Sequence, residues 1–173
     1  MIYLRALELD DLDRTHRWHN DPALYGTIVG AFRYVSRTAE REWLDHKQAF
    51  SNQEINLAIC LAADSRHIGN VYLRSIDWIA RHAEVAGLFI GEPDCRSKGY
   101  ATAALRHLIQ HAFQDLGLVR LYAFVLEENQ AIRRVLEKCD FVVEGRLRQH
   151  AFKNGVFKDV LLAGLCARAD EPR

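Results

Sequence analysis

The sequence contains no run of 18 consecutive apolar residues, about the minimum for a membrane-spanning helix. It has no excess of either charge: Lys+Arg and Asp+Glu each number 23, for a formal net charge of zero. A non-specific nucleic-acid binder needs a basic surface to displace counterions from phosphates, so nucleic acid is not an expected partner. Nor does overall acidity point to a dedicated polycation site. Cys60, Cys95, Cys139 and Cys166 stand far apart with no Cys-x-x-Cys pair. Such spacing builds neither a disulfide framework nor a zinc site, and leaves buried or partly exposed thiols. His16/His19 and His107/His111 have helical spacing, but no Glu-bearing zinc motif accompanies them, so no metal is expected. Repeats, low-complexity tracts and linkers are missing too. Met1-Ile2-Tyr3-Leu4-Arg5 has the composition of a strand rather than of a cleavable signal, and the chain reads as cytoplasmic.

What is present is ordinary globular material: 173 residues, 49% hydrophobic and 27% charged. That is enough for one compact domain spanning 1–173, with about 167–173 as a short polar tail. Residues 2–7 predict a strand. Asp10 or Asp11 can cap a helix reaching about His19, which stops at Asn20-Asp21-Pro22 because proline pushes its predecessor out of the helical region. After a loop holding Tyr25, Gly26, Gly30 and Tyr34, Ser36 caps a second helix to about Phe50, with Trp43, Leu44 and Phe50 on its buried side. Residues 55–61 alternate like a half-buried strand, and Asp64-Ser65-Arg66 turns into a partner at about 68–76. Residues 83–91 are more continuously apolar and predict a central strand. A helix over about 100–116 has apolar residues three and four apart, from Ala101 and Leu105 to Phe113 and Leu116. A strand at 119–126 and a short helix at 130–138 follow. Two last strands, at about 141–150 and 156–166, flank Lys153-Asn154-Gly155, a hairpin signal. The order predicts an α/β (α+β) domain with about four helices and a mixed, mostly antiparallel sheet.

Arg96-Ser97-Lys98-Gly99-Tyr100-Ala101 lies between strand 83–91 and the long helix. Unpaired N–H groups and the dipole at a helix N-terminus attract anions. Gly99 lets backbone approach a ligand closely, and two basic side chains add charge. A solvated turn with a tight-turn glycine is the plain alternative, and the loop matches neither the P-loop nor the dinucleotide fingerprint.

The wider pattern decides between them. Gly91-Glu92-Pro93-Asp94-Cys95-Arg96-Ser97-Lys98-Gly99-Tyr100-Ala101-Thr102 resembles motif A of the GNAT acetyltransferase superfamily, whose loop reads Gln/Arg-x-x-Gly-x-Gly/Ala. Asn129-Gln130-Ala131, the run Arg134 to Phe141, and Glu144-Gly145 resemble its motif B. These residues, with Arg148, Gly155 and Asp159, are most similar to the branch of ribosomal-protein alanine N-acetyltransferases. Trp18-His19-Asn20-Asp21-Pro22 and Trp43 resemble the opening of related amino-sugar acetyltransferases. The correspondence runs from about residue 3 to 166. It implies acetyl-CoA as cosubstrate, with its pyrophosphate on the backbone of residues 96–101. The backbone of Leu88, Phe89 and Ile90 would pair with the pantetheine arm like an added strand, Asn129 would touch the same arm, and Arg134 would reach a CoA phosphate. It also implies a bulged strand splayed from its neighbour. Glu84-Val85-Ala86-Gly87-Leu88 is one residue longer than the family's Glu-x-Gly, and a bulge would use the extra residue.

The implied activity is N-acetyl transfer to a primary amine. The amine must lose a proton, the oxyanion must be stabilised, and the thiolate must leave. Glu84 is the candidate base; a solvent-facing carboxylate beside Arg81 or His82 is its bland alternative, and Glu92 is a second candidate. An N–H near Phe89 or Ile90 is the implied oxyanion donor. Leu136 stands where many relatives have a Tyr acid, Ile132 where some have Ser, and Asp140 where the helix is usually followed by Gly. The pocket would be walled by the loop at 21–34, the second helix and the final hairpin. Trp18, Asn20, Asp21, Tyr25 and Trp43 are candidate wall residues for the substrate pocket, although Trp18 and Trp43 read equally well as core. A small-molecule amine such as an amino sugar is preferred to a protein N-terminal alanine or serine and to a polyamine. A weak base suits an amine of low pKa, and the neutral chain does not favour a polycation. A non-catalytic acyl-CoA-binding module is the alternative class, and a homodimer is one assembly that the resemblance implies.

Overall fold

Alternating apolar residues open the chain as strand β1 (Ile2–Ala6) in a computed structural model that describes residues 1–167. Residues 168–173, and with them nearly all of the expected polar tail, lie outside the described residues. A 3-10 turn at Leu9–Asp11 leads into α1 (Leu12–His19). The expected stop at Pro22 holds, but the segment after it is not all loop. Pro22 starts a one-turn helix, α2 (Pro22–Tyr25), because the Asp21 carboxylate accepts from the N–H groups of Ala23 at 2.9 Å and Leu24 at 3.2 Å. Ser36 caps α3 (Arg37–Gln48), its hydroxyl accepting from Ala39 N–H at 3.1 Å. Phe50 is not on the buried side of that helix. Ala49 turns extended (φ −63°, ψ 140°), and Phe50, past the helix end, is 94% exposed.

Strands β2 (Ile55–Leu61), β3 (His67–Asp77) and β4 (His82–Ile90) pair antiparallel in succession. The long helix is α4 (Tyr100–Gln110); it closes in a π turn at His111–Asp115, where Leu116 N–H reaches His111 O at 3.1 Å. Strand β5 (Arg120–Leu126), helix α5 (Gln130–Glu137), and the hairpin of β6 (Val142–Lys153) and β7 (Val156–Cys166) complete the described chain. The sheet order is β1-β2-β3-β4-β5-β7-β6. Only β4 and β5 pair in parallel, and α4 is the crossover such a pair requires.

Both faces of the sheet are covered. Leu105, Leu108 and Ala112 of α4 and Leu136 of α5 pack on Ile59, Val71, Leu73 and Leu121. On the other face Leu44 of α3 and Leu7 pack on Ala58, Cys60 and Tyr72. For that reason β2 is not the half-buried strand its alternation predicts: Asn56, Ala58 and Cys60 are buried as well. Each fully buried Leu contributes about 1.5–3 kcal/mol.

The sheet is interrupted at its centre. β4 and β5 pair over His82↔Arg120, Ala83↔Leu121 and Glu84↔Tyr122 and then part. On the other side of β4 the register steps from Tyr72↔Ala86 to Asn70↔Phe89, so β4 spends one more residue than β3 over that interval. This is the expected bulge. Gly87 sits in it at φ +57°, and a Cβ there would lie 2.4 Å from the Tyr72 ring, so only glycine fits.

Candidate active site

Two cavities open where β4 and β5 part. The first, of about 470 Å³, is walled by His19, Tyr25, Trp43 and Lys47 from the helical side, and by Tyr72, Arg74, Glu84 and Ala86 from β3 and β4. Ala123 to Leu126 of β5 and Ile132 and Leu136 of α5 close it. The second, of about 490 Å³, runs from Leu88, Phe89 and Ile90 to the start of α4 and along α5. Thr27, Ile28, Leu88, Phe89, Asn129 and Ile132 line both, so the cavities meet at the bulged end of β4.

The glycine-bearing loop shapes the second cavity. Ser97 (φ +60°) and Gly99 (φ +81°) are both left-handed, and space around a Cβ at Gly99 is open to 4 Å. Ala103 N–H is the first of α4 to reach a helical carbonyl, Gly99 O at 3.0 Å, so the earlier N–H groups are left at the helix end. Arg96, Ser97, Gly99, Tyr100, Ala101 and Arg134 all line this cavity; Lys98 does not and is exposed. Arg96 folds back on its own strand, donating from Nε to Ile90 O at 3.1 Å and from Nη2 to Gly91 O at 3.0 Å. Thr102, Val135 and Lys138 line the same cavity without having been singled out from sequence. For Lys138, four residues after Arg134, helical spacing was the signal available; Thr102 and Val135 only adjoin Ala101 and Arg134 in the chain.

Asn129 is committed on both sides. Its Oδ1 caps α5 through Ile132 N–H at 3.2 Å, and its Nδ2 donates to Thr27 O at 2.6 Å, tying down the segment that lines both cavities. Lys153, 6% exposed, donates to the carbonyls of Tyr25 (2.8 Å) and Gly30, and burial pushes its pKa down. The loop over the first cavity is thereby pinned to the hairpin.

Glu84 faces the first cavity with its carboxylate held by Arg74 (Nη2 to Oε1, 2.7 Å), not by Arg81 or His82. Glu92 is paired with Arg17 and stands off both cavities. Of the five candidate wall residues, Trp43 lines the first cavity and so does Tyr25. Burial, with a smaller contribution from the Glu40 charge, pushes its hydroxyl up to about 12. Trp18 is core, 2% exposed and edge-on to Phe89 and His67. Asn20 binds Val35 through both its amide atoms, and Asp21 caps α2. Ile132 and Leu136, where a hydroxyl acid was sought, do line the first cavity but have no proton to give. One pair, a histidine on the cavity wall with a carboxylate behind it, is not apparent from the sequence. His19 Nδ1 lies 2.6 Å from Oε2 of Glu40, a carboxylate with 0% exposure. Among the described residues no group of three or more His, Cys, Asp or Glu is arranged to hold a metal ion, and no helix is long and apolar enough to cross a membrane.

Residues 2–142 match the family model of the acetyltransferase (GNAT) domain. The chain belongs to the GNAT acetyltransferases. It is 30% identical over 175 residues to the probable N-acetyltransferase YjcK of Bacillus subtilis (strain 168), covering 98% of this chain and 96% of that one. The solved spermidine N-acetyltransferase of Vibrio cholerae, in complex with CoA and spermine, superposes with a TM-score of 0.86 at 31% identity over 95% of both chains. A dodecameric structure of spermidine N-acetyltransferase from Vibrio cholerae gives 0.79 at 30% identity, over 95% of this chain and 93% of that one. A GNAT fold accounts for the parted strands, the bulge and the loop at the N-terminus of α4. The chain is an N-acetyltransferase rather than a non-catalytic binding module.

Proposed function

We propose that this enzyme moves the acetyl group of acetyl-CoA onto the primary amine of a small molecule such as an amino sugar, with CoA in the second cavity and the amine in the first. The observation that carries this is the meeting of the two cavities at Leu88 and Phe89, where thioester and amine could be held in line. The pyrophosphate lies on the N–H groups of residues 96–101, with Arg96 and Lys98 adding charge, and Arg134 approaches a CoA phosphate. The pantetheine arm runs along Leu88, Phe89 and Ile90, where β4 has lost β5 as a neighbour, and passes Asn129. The N–H of Phe89 or Ile90 faces the developing oxyanion. Glu84, on the wall of the first cavity, faces the positive charge of the acceptor ammonium. With aliphatic Ile132 and Leu136 at the reaction centre, the leaving thiolate takes its proton from water.

Similarity to spermidine acetyltransferases favours a second reading, a polyamine acceptor. The cavity wall speaks against it. Among the described residues Glu84 is the only carboxylate on the first cavity's wall and already faces Arg74, and the wall also carries Lys47, which is itself paired with Glu54. A polyamine brings several ammonium groups and no anion to match them. Thiol release from acetyl-CoA should be measured with glucosamine, spermidine and a peptide beginning with alanine. The amino sugar is expected to give the highest kcat/KM, and a tenfold preference for spermidine would reverse the assignment. The enzyme further associates with itself through the β6–β7 hairpin, and the dodecameric relative supports assembly as a habit of this fold.

A further inference from the structure

From the geometry we infer that His19, held by the buried carboxylate of Glu40, is the group that accepts the proton of the acceptor ammonium. This rests on the placement of the amine in the first cavity. His19 closes α1 and its side chain is 12% exposed, on the wall of that cavity. A carboxylate oxygen accepts, so the 2.6 Å contact with Glu40 Oε2 puts the imidazole N–H on Nδ1. Nε2 keeps its lone pair, and no hydrogen bond to it is made among the described residues. The ring is fixed by edge-on contacts to Trp43 (4.5 Å between centroids) and Tyr25 (6.0 Å). Carboxylate behind, imidazole between and cavity in front is the arrangement by which a histidine is oriented as a base and its charged form stabilised.

The buried carboxylate needs a reason to be there. Glu40 is fully buried, and its Oε1 has no partner. Burying a charge with half its valence unmet costs several kcal/mol unless a cation forms beside it, and a histidine that takes up a proton supplies that cation. Glu84, by contrast, already has its charge compensated by Arg74. Glu84 therefore holds the ammonium, and His19 removes its proton. In the step the proton passes from the amine nitrogen to Nε2, and the freed lone pair bonds to the acetyl carbon. As the C–S bond breaks, the thiolate leaves with its electron pair, the second proton on the amide nitrogen passes to water, and water returns one proton to the thiolate.

Groups facing His19 are Glu40 and Trp43 from α3 and Tyr25 from α2; Lys47, Tyr72, Arg74, Glu84 and His150 share the cavity. Burial pushes the hydroxyls of both Tyr25 and Tyr72 well up, above the range of an assay near neutrality. The test is kcat against pH, about pH 6 to 9, at saturating acetyl-CoA, with the amine of the panel that turns over fastest. His19→Gln keeps a donor for Glu40. It is expected to lower kcat about a hundredfold and remove one protonation step, with amine KM within threefold and acetyl-CoA binding by calorimetry unchanged. Glu40→Gln is expected to keep that step but move it to lower pH, because the neighbouring negative charge is gone. A His19→Gln enzyme with kcat within threefold and an unaltered profile would overturn the inference. If that variant does not fold, an unshifted profile for Glu40→Gln overturns it instead. Wild-type enzyme releasing thiol with no amine would overturn the proposed acceptor site itself, and this inference with it.

Discussion

Asp11 is 1% exposed and still charged. Burial alone would raise its pKa, but Arg5 donates to both its oxygens at 2.7 Å, His67 Nδ1 lies 2.9 Å from Oδ1, and Glu8 N–H donates at 2.9 Å. Together these hold the carboxyl well below its usual range. A depressed folded-state pKa contributes stability above the ordinary carboxylate value near 4 and loses it as pH falls below that value. Urea unfolding of Asp11→Ala should therefore show a loss of about 3–5 kcal/mol at pH 7, shrinking toward pH 3, since the substitution strands Arg5 and His67. A pH-independent difference would mean packing, not charge, accounts for the loss. Gly87 offers a second test at this scale. Alanine there combines a left-handed backbone with a clash against Tyr72, and is expected to cost about 1–3 kcal/mol and to lower turnover by disturbing the bulge. The bulge was legible because it needs an extra residue, and the sequence has one between Glu84 and Gly87. Trp18, Asn20 and Asp21 misled because a large aromatic or a capping side chain looks the same in sequence whether it faces a ligand or its own backbone. Glu40 left only a positional trace: it stands three and four residues before Trp43 and Leu44, on the face that Leu44 buries, but a carboxylate in the run Arg37–Glu42 reads as solvent-facing.

Elements whose periodicity is strong were legible nearly to their ends. The apolar rows of α4 and the alternation of β5 and β7 are dictated by facing one core. What escaped depends on single side chains or on partners distant in sequence: α2 on the Asp21 cap, the burial of both faces of β2 on α3 lying over it. The loop ahead of α4 shows the same division. Its sequence pointed to an anion cradle, but its two basic residues are not equivalent, because Arg96 is bound to the carbonyls of Ile90 and Gly91 while Lys98 stands off the wall. Arg96→Ala is expected to raise KM for acetyl-CoA about tenfold and Lys98→Ala less than threefold, each with kcat nearly intact; equal effects would mean that charge, not loop shape, binds CoA. Asn129 joins two elements. Asn129→Ala loses the cap of α5, worth about 1 kcal/mol, and releases Thr27. A drop of several degrees in Tm together with higher KM for both substrates is the expected pair of results.

At the scale of the molecule, the sheet ends in an exposed edge. β6 is 12 residues long and, among the described residues, has β7 on one side only. Long unprotected edges invite pairing with another chain unless charge, bulges or a covering element prevent it. The register shifts between Val143 and Gly145 and between Leu147 and Ala151 break the middle of this edge, which leaves its ends. At the hairpin end Phe152 and Phe157 are 58% and 61% exposed, paired across the strands with ring centroids 5.0 Å apart, and Val156 is 54% exposed beside them. An apolar cluster of this kind is costly to leave in water and is suited to burial against a second copy. The same hairpin carries Lys153, which pins the loop over the first cavity through Tyr25 and Gly30, so an interface here would bear on the shape of that cavity. Sedimentation velocity at micromolar protein should show a dimer or larger species. Phe152→Ser with Phe157→Ser should shift it to monomer, raise the amine KM severalfold and leave acetyl-CoA binding near its original affinity, because the second cavity, proposed for CoA, is lined from β4, α4 and α5. A monomeric wild type would remove the hairpin interface. Dissociation with unchanged amine KM would keep the interface but uncouple it from the acceptor site.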